Sequence, residues 1–150
     1  MENYHQQAKN FKIINVSILD IDKINCIEKE LNLSITTMSF LEKTLLNDNY
    51  NFLKLIIKNQ IIGIFSYYRS GTECDIISIG ICKEFQKKGY GKKLIEYLKT
   101  QNIKKIYLEV SNKNQNALIF YKKFGFVKVG VRKNYFTKEK TDAFLLIGKI

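Results

Sequence analysis

The sequence predicts one α+β domain over residues 1–150. Seven short runs have the apolar, β-rich character of strands, and four segments repeat apolar residues at helical spacing. Nothing between them reads as a linker, a repeat or a low-complexity block. A chain of this length has room for a single domain with a proper core and little more.

Phe11 to Ile18 alternates well enough for a first strand. Asp20 is placed to cap a helix in which Ile21, Ile24, Ile27 and Leu31 recur on one side. A polar break, Asn32 to Thr37, precedes a second amphipathic helix carrying Met38, Leu41 and Leu45, which Asn47-Asp48-Asn49 ends. Phe52 to Lys58 and Ile61 to Tyr68 are predicted strands with a hairpin turn at Asn59-Gln60. Arg69-Ser70-Gly71-Thr72 then turns the chain into Glu73 to Cys82, completing three antiparallel strands. A helix from Tyr90 to about Gln101 leads to a strand at Lys105 to Val110. Asn114 is a good N-cap for a helix over Gln115 to Phe124, and Gly125 supplies its C-terminus. Phe126 to Tyr135 and Ala143 to Ile150 are the last strands, joined by the charged loop Thr137 to Asp142.

Composition narrows the function classes. Hydrophobic residues make up 45% and aromatics 13%, an ordinary globular balance. No window approaches a membrane span, and the first residues lack the basic and apolar regions of a secretion signal, so no membrane partner is expected. Cys26, Cys74 and Cys82 fit neither a disulfide framework nor a zinc pattern. The lone histidine, His5, leaves little scope for metal or Ser-His-Asp chemistry. A cytoplasmic, reduced, metal-free protein is expected. The formal charge of +11 comes from lysines scattered from Lys9 to Lys149, with Arg69 and Arg132 the only arginines. Nucleic-acid surfaces favour clustered arginine with interleaved aromatics, so a solvated lysine surface is the better reading and no direct nucleic-acid binding is expected.

The stretch richest in chemistry runs from Ile76 to Lys93. An apolar strand feeds a basic loop punctuated by Gly89 and Gly91, and Leu94, Ile95 and Leu98 follow at helical spacing. Strand, loop rich in free N–H groups and helix N-terminus together suit a bound phosphate, though an ordinary basic strand–helix turn would look much the same. It is not a Walker loop, because Lys92 is followed by Lys93 instead of Ser or Thr. Nor is it a dinucleotide fingerprint, which requires a third glycine. Further on, Glu109 interrupts a strand of Ile, Tyr, Leu and Val. Partial burial would favour its protonated form and suit it to general base work; the bland alternative is a carboxylate facing solvent or a lysine. Tyr121 lies with Ala117, Phe120 and Phe124 on one helix face. It is either a core aromatic or a phenol able to protonate a departing thiolate.

Gln86-x-x-Gly89-x-Gly91 resembles the acetyl-CoA pyrophosphate loop of the GNAT (Gcn5-related) N-acetyltransferases. Asn114-x-x-Ala117-x-x-x-Tyr121-x-x-x-Gly125-Phe126 reproduces that family's second signature at the expected position. Leu108-Glu109-Val110, the twelve-residue step from Glu109 to Tyr121, Arg132-x-Asn134-Tyr135 and Asp142-Ala143 resemble one subgroup, the bacterial ribosomal-protein-alanine N-acetyltransferases (RimI). The resemblance runs from about Ile76 to Ile150 and is only topological before that.

It implies a mixed, mostly antiparallel central sheet flanked by the helices. Acetyl-CoA would be the co-substrate, and the acceptor a peptide N-terminus, in particular that of a ribosomal protein. Main-chain groups of Ile79, Gly80 and Ile81 would hold the pantetheine arm and the thioester carbonyl. Gln86, Lys87, Lys88, Gly89, Tyr90, Gly91 and Lys92 would form the pyrophosphate site, and Asn114 would contact the CoA arm. Glu109 would be the base and Tyr121 the acid, with the amine attacking directly in a ternary complex. The absence of a Cys–His pair in the sequence agrees with direct attack. The rivals are acetylation of a small amine or a lysine side chain and, more distantly, a non-catalytic CoA- or nucleic-acid-binding module.

Two features depart from the subgroup. The Pro-Trp pair that shapes its peptide groove has no counterpart in Leu33-Ser34-Ile35-Thr36-Thr37, and the helix after the phosphate loop is about one turn shorter. Cys82, near the expected thioester, reads as a small core residue.

Overall fold

The strand-like runs do form strands, and they join in one seven-stranded sheet. The computed structural model describes residues 10–150, so His5 and the first residues lie outside the described part. In chain order the elements are β1 (Phe11–Asn15), α1 (Ile21–Glu30), α2 (Met38–Leu45), β2 (Tyr50–Ile57), β3 (Gln60–Ser70), β4 (Glu73–Ile81), α3 (Tyr90–Thr100), β5 (Lys105–Ser111), α4 (Gln115–Lys123), β6 (Val127–Phe136) and β7 (Thr141–Lys149). Single 3-10 turns occupy Ile18–Asp20 and Lys83–Phe85. The sheet order is β1-β2-β3-β4-β5-β7-β6. β1 with β2, β2 with β3, β5 with β7 and β6 with β7 are antiparallel, whereas β4 and β5 are parallel, making a mixed α+β fold. No helix among the described residues is long and apolar enough to cross a membrane.

Two compact units divide the chain: Met1–Tyr68 with Ile77–Tyr97, and Arg69–Ile76 with Leu98–Ile150. In the first, Val16, Ile24, Ile27, Leu41, Phe52 and Ile64 form a buried cluster, with Leu31, Leu33 and Cys82 packed around it. The predicted stripe of α1 therefore faces the core. On α2 only Leu41 and Thr44 are buried, while Met38 and Leu45 are exposed. The first strand stops at Asn15, sooner than expected, because Ser17 opens the 3-10 turn. Asp20 sits at the N-cap of α1 without bonding its N–H groups. Its Oδ2 instead accepts from Ser17 N at 2.8 Å and from Lys54 Nζ at 2.7 Å. The hairpin turn falls at Lys58-Asn59, one residue before the expected site. Both adopt left-handed φ (48° and 63°), and Ile57 pairs with Gln60. That is the backbone of a tight two-residue turn.

In the second unit β5 alternates cleanly: Ile106, Leu108 and Val110 are buried, while Lys105, Tyr107, Glu109 and Ser111 are half-buried. This strand pairs along its length with β7, from Lys105 opposite Lys149 to Ser111 opposite Ala143. Its parallel ladder with β4 comprises Glu73, Cys74 and Asp75 opposite Lys105, Ile106 and Tyr107. The Asn114 side chain caps α4 as expected, its Oδ1 accepting from Ala117 N at 3.2 Å. Gly125 follows the helix at φ 82°.

Candidate active site

The first unit contains the expected phosphate loop. Past Ile81 the chain makes its 3-10 turn, and Gln86 Nε2 donates back to the Ile81 carbonyl at 2.8 Å. The first residue of the glycine motif thus fastens the loop to the strand end. Lys87 (φ 59°) and Gly89 (φ 87°) are both left-handed, on either side of Lys88. A side chain at Gly89 would strain this backbone. The Gly89 carbonyl accepts from Lys93 N at 3.3 Å and so opens α3. The N–H groups of Tyr90, Gly91 and Lys92 then belong to the first turn, at the positive end of the helix dipole. The Tyr90 ring is buried, stacked on Phe11 with centroids 5.5 Å apart and edge-on to Phe85 at 6.4 Å. Lys87 and Lys88 are exposed, and Lys92 meets Glu96 at 3.8 Å in an exposed pair that is readily exchanged for a stronger anion. Together these groups can hold a pyrophosphate.

The segment after α1 is built onto β4 within the same unit. A Cβ at Gly80 would lie 2.6 Å from Leu31 Cδ1 and 3.1 Å from Leu33 Cδ1, so the glycine is what lets these leucines close onto the strand. Glu28 fixes the rest. Although only 2% exposed, it accepts from Thr36 N at 2.7 Å and Thr36 Oγ1 at 3.0 Å through Oε2, and from Asn25 Nδ2 at 3.4 Å through Oε1. Asn25 Nδ2 also donates to the Thr36 carbonyl at 2.9 Å. A buried carboxylate is tolerated when its oxygens are satisfied in this way. Sequence reading missed Glu28. The available signal was its place four residues after Ile24 and three before Leu31, on the apolar stripe of α1.

In the second unit Glu109 is half-buried and pairs with an arginine, not a lysine. Its side chain is 26% exposed and Oε1 lies 3.3 Å from Arg132 Nε, while Oε2 is buried without a hydrogen-bond partner. The Arg132 guanidinium sits 5.1 Å from the centroid of Tyr135. Tyr121 is buried, its ring 5.1 Å from those of Phe120 and Phe126. Burial pushes its phenol well above the ordinary value, which keeps the hydroxyl protonated at any working pH. Its ring packs as a core aromatic, and its hydroxyl holds the proton an acid needs. Because Asn114 Oδ1 is used by the helix cap, Nδ2 is the end left to donate to a ligand.

Cys74 and Cys82 do not read as nucleophiles. Burial pushes Cys74 up to about 12 and also raises Cys82, which lies against the first unit's core, so both stay protonated.

Comparisons with known proteins identify the family. Residues 18–126 match the family described as Acetyltransferase (GNAT). The ribosomal protein bS18 alanine N-acetyltransferase of Haemophilus influenzae is 34% identical over 130 residues, covering 84% of this chain and 88% of that protein. The Escherichia coli ribosomal-protein-S18-alanine N-acetyltransferase has the same fold, with a TM-score of 0.79 at 20% identity over 93% of this chain and 94% of that one. A chimeric spermidine N-acetyltransferase of Vibrio cholerae matches as well in shape, with a TM-score of 0.78 at 21% identity over 93% of this chain and 95% of that one. From the family match and the similarity to the Haemophilus enzyme, it follows that this chain is an acetyltransferase belonging to the GNAT family.

Proposed function

We propose that residues 1–150 act as one catalytic domain that moves the acetyl group of acetyl-CoA to the N-terminal α-amine of a protein, in particular an alanine of a ribosomal protein. The observation that carries the chemistry is Glu109, a strand carboxylate with one oxygen paired and the other buried and unused. The acceptor class is that of the Haemophilus influenzae relative, at 34% identity over most of both chains. Three thiols, none in a disulfide among the described residues, suit a cytoplasmic enzyme.

The residues present fit the co-substrate. N–H groups of Tyr90, Gly91 and Lys92 would receive the pyrophosphate at the start of α3, with Lys87 and Lys88 adding charge. Main chain from Ile79 to Ile81 lies past the ladder to β5, which ends at Asp75, and would align the pantetheine arm. The Ile81 carbonyl also accepts from Gln86 Nε2, which steadies this end of the strand. Asn114 Nδ2 would donate to the arm.

Glu109 Oε2, directly or through a water, would take the proton from the ammonium group. The freed nitrogen would form its bond to the thioester carbon as the C–S bond breaks, Tyr121 would give its proton to the leaving sulfur, and the second proton, shed by the acylated nitrogen, would restore the phenol. An α-amine suits such a base: its pKa is about 8 against ~10.4 for lysine, so less deprotonation work is needed. With Cys74 and Cys82 held as thiols, no acyl-enzyme is expected.

A small amine is the second reading, favoured by the equal likeness in shape to a spermidine acetyltransferase. The primary test mixes enzyme, acetyl-CoA and a peptide beginning with alanine, followed by mass spectrometry. Acetylated peptide should accumulate while the enzyme's own mass never changes, and Glu109→Gln should lower turnover by roughly 10²–10⁴-fold with near-normal cofactor binding. An unchanged rate would remove Glu109 from the mechanism.

A further inference from the structure

Glu109 and Arg132 come from strands that do not touch, and the way they meet suggests a role for the arginine. Glu109 stands opposite Leu145 on β7, and Arg132 stands opposite Ala143 on the same strand. Opposed residues share a sheet face, as do residues two apart along a strand. All four side chains are therefore on one face, with β7 running between the partners. Two strand spacings separate β5 from β6, about 10 Å. The Arg132 side chain must cross β7 to reach the carboxylate, and its path lies over Ala143, a fully buried residue with only a methyl group. A larger side chain there would stand in the way.

The starting point of that reach is itself held. The ladder between β6 and β7 is irregular from Arg132 to Phe136, and within this bulge Asn134 is left-handed at φ 52°. Its N–H donates to Asp142 Oδ1 at 2.8 Å, pinning the bulge to β7. The Tyr135 ring lies 5.1 Å from the guanidinium, a cation–π distance. Such a half-exposed ion pair adds little to stability, so its consequence is sought in geometry. A carboxylate on an unrestrained Glu turns easily about its last torsion and presents either oxygen. Here Oε1 is engaged by Arg132, and Oε2 is left buried and without a partner.

We propose that Arg132 is a positioning residue for acetyl transfer: reaching across Ala143, it holds Glu109 by Oε1 so that Oε2 is the oxygen presented to the acceptor amine. This rests on the reading of Glu109 as the base. Tyr135 and the Asn134–Asp142 contact hold the arginine, and none of the three needs to touch the reacting atoms.

The test is a double-mutant cycle in steady-state kinetics with acetyl-CoA and an N-terminal alanine peptide, on the wild type, Arg132→Ala, Glu109→Gln and the double variant, with Arg132→Lys alongside. Arg132→Ala should lower kcat about five- to tenfold, with KM for acetyl-CoA within about twofold of wild type. Arg132→Lys, which keeps the length and charge, should recover part of that loss. In the Glu109→Gln background, Arg132→Ala should produce no further fall. The inference is overturned if Arg132→Ala leaves kcat unchanged, if it raises only the peptide KM, or if it costs the same in both backgrounds. Full activity of Glu109→Gln would instead remove the base reading and this inference with it. Loss of activity in Glu109→Gln beside an unaffected Arg132→Ala would remove the inference alone.

Discussion

Tyr121 combines a core ring with a protonated hydroxyl, and the two can be separated by removing one oxygen. Tyr121→Phe keeps the contacts with Phe120 and Phe126 and deletes only the hydroxyl proposed as the acid. Turnover should drop roughly 10²–10⁴-fold, like that of Glu109→Gln, while the melting temperature stays within a few degrees. A variant that unfolds readily yet is fully active when folded would mark Tyr121 as a packing residue only. Both residues were legible in the sequence because each is out of character with its surroundings: a carboxylate in an apolar strand, a phenol on an apolar helix face. Their partners were less legible. Nothing local to Arg132 says that it meets Glu109, because that pairing depends on the registers of three strands. Glu28 was readable in principle from its position on the stripe of α1, but the two donors to its Oε2 lie on Thr36, eight residues away.

Among the elements, the N-terminus of α3 and the turn before α1 make different demands. Gly89 at φ 87° lies in the loop proposed to hold the pyrophosphate, so Gly89→Glu would strain the loop and, on that proposal, oppose the pyrophosphate with a carboxylate. Acetyl-CoA binding, followed by calorimetry, should be lost. Gly89→Asn, which tolerates a left-handed backbone without adding charge, should keep most of it. Equal loss in both variants would shift the cause from charge to backbone.

Asp20 concerns stability. Partial burial raises its pKa, but hydrogen bonds from Lys54 and from Ser17, with the Lys54 charge, outweigh this and leave it below its ordinary value. A depressed carboxylate contributes stability that is present above its unfolded pKa and is lost as pH falls through the folded one. Asp20→Asn should therefore unfold at lower denaturant than wild type at pH 7, and the gap should close as pH falls below about 4. A gap independent of pH would show that the carboxylate's charge is not involved. Sequence reading placed Asp20 correctly at the start of α1 but misjudged its bond. Its partner Lys54 lies 34 residues away in β2, and no local pattern announces it. The hairpin shifted by one residue for a related reason: Asn59 was read as the turn's first position, whereas Lys58 also accepts the left-handed backbone.

For the whole molecule, fold and family were readable because two spaced signatures fall on a strand–loop–helix and a capped helix, contexts that each has a physical reason to require. The net charge of +11 was the weaker guide. A lysine-rich surface attracts many anions, whereas the loop at α3 adds oriented N–H groups to that charge. Acceptor choice was the least legible feature. Glu28 and Thr36 hold the segment where relatives of the subgroup carry Pro-Trp, so that region is ordered here by a buried carboxylate. Similar folds serve alanine and spermidine acceptors, which leaves selectivity to side chains and not to architecture.

The most direct measurement is acetyl transfer from acetyl-CoA to a short panel: peptides beginning with Ala, Ser or Met, an N-blocked lysine peptide, and spermidine. Selective turnover of the alanine peptide is the result expected. Turnover of spermidine or the blocked lysine peptide alone would leave fold and chemistry in place and contradict the proposed acceptor.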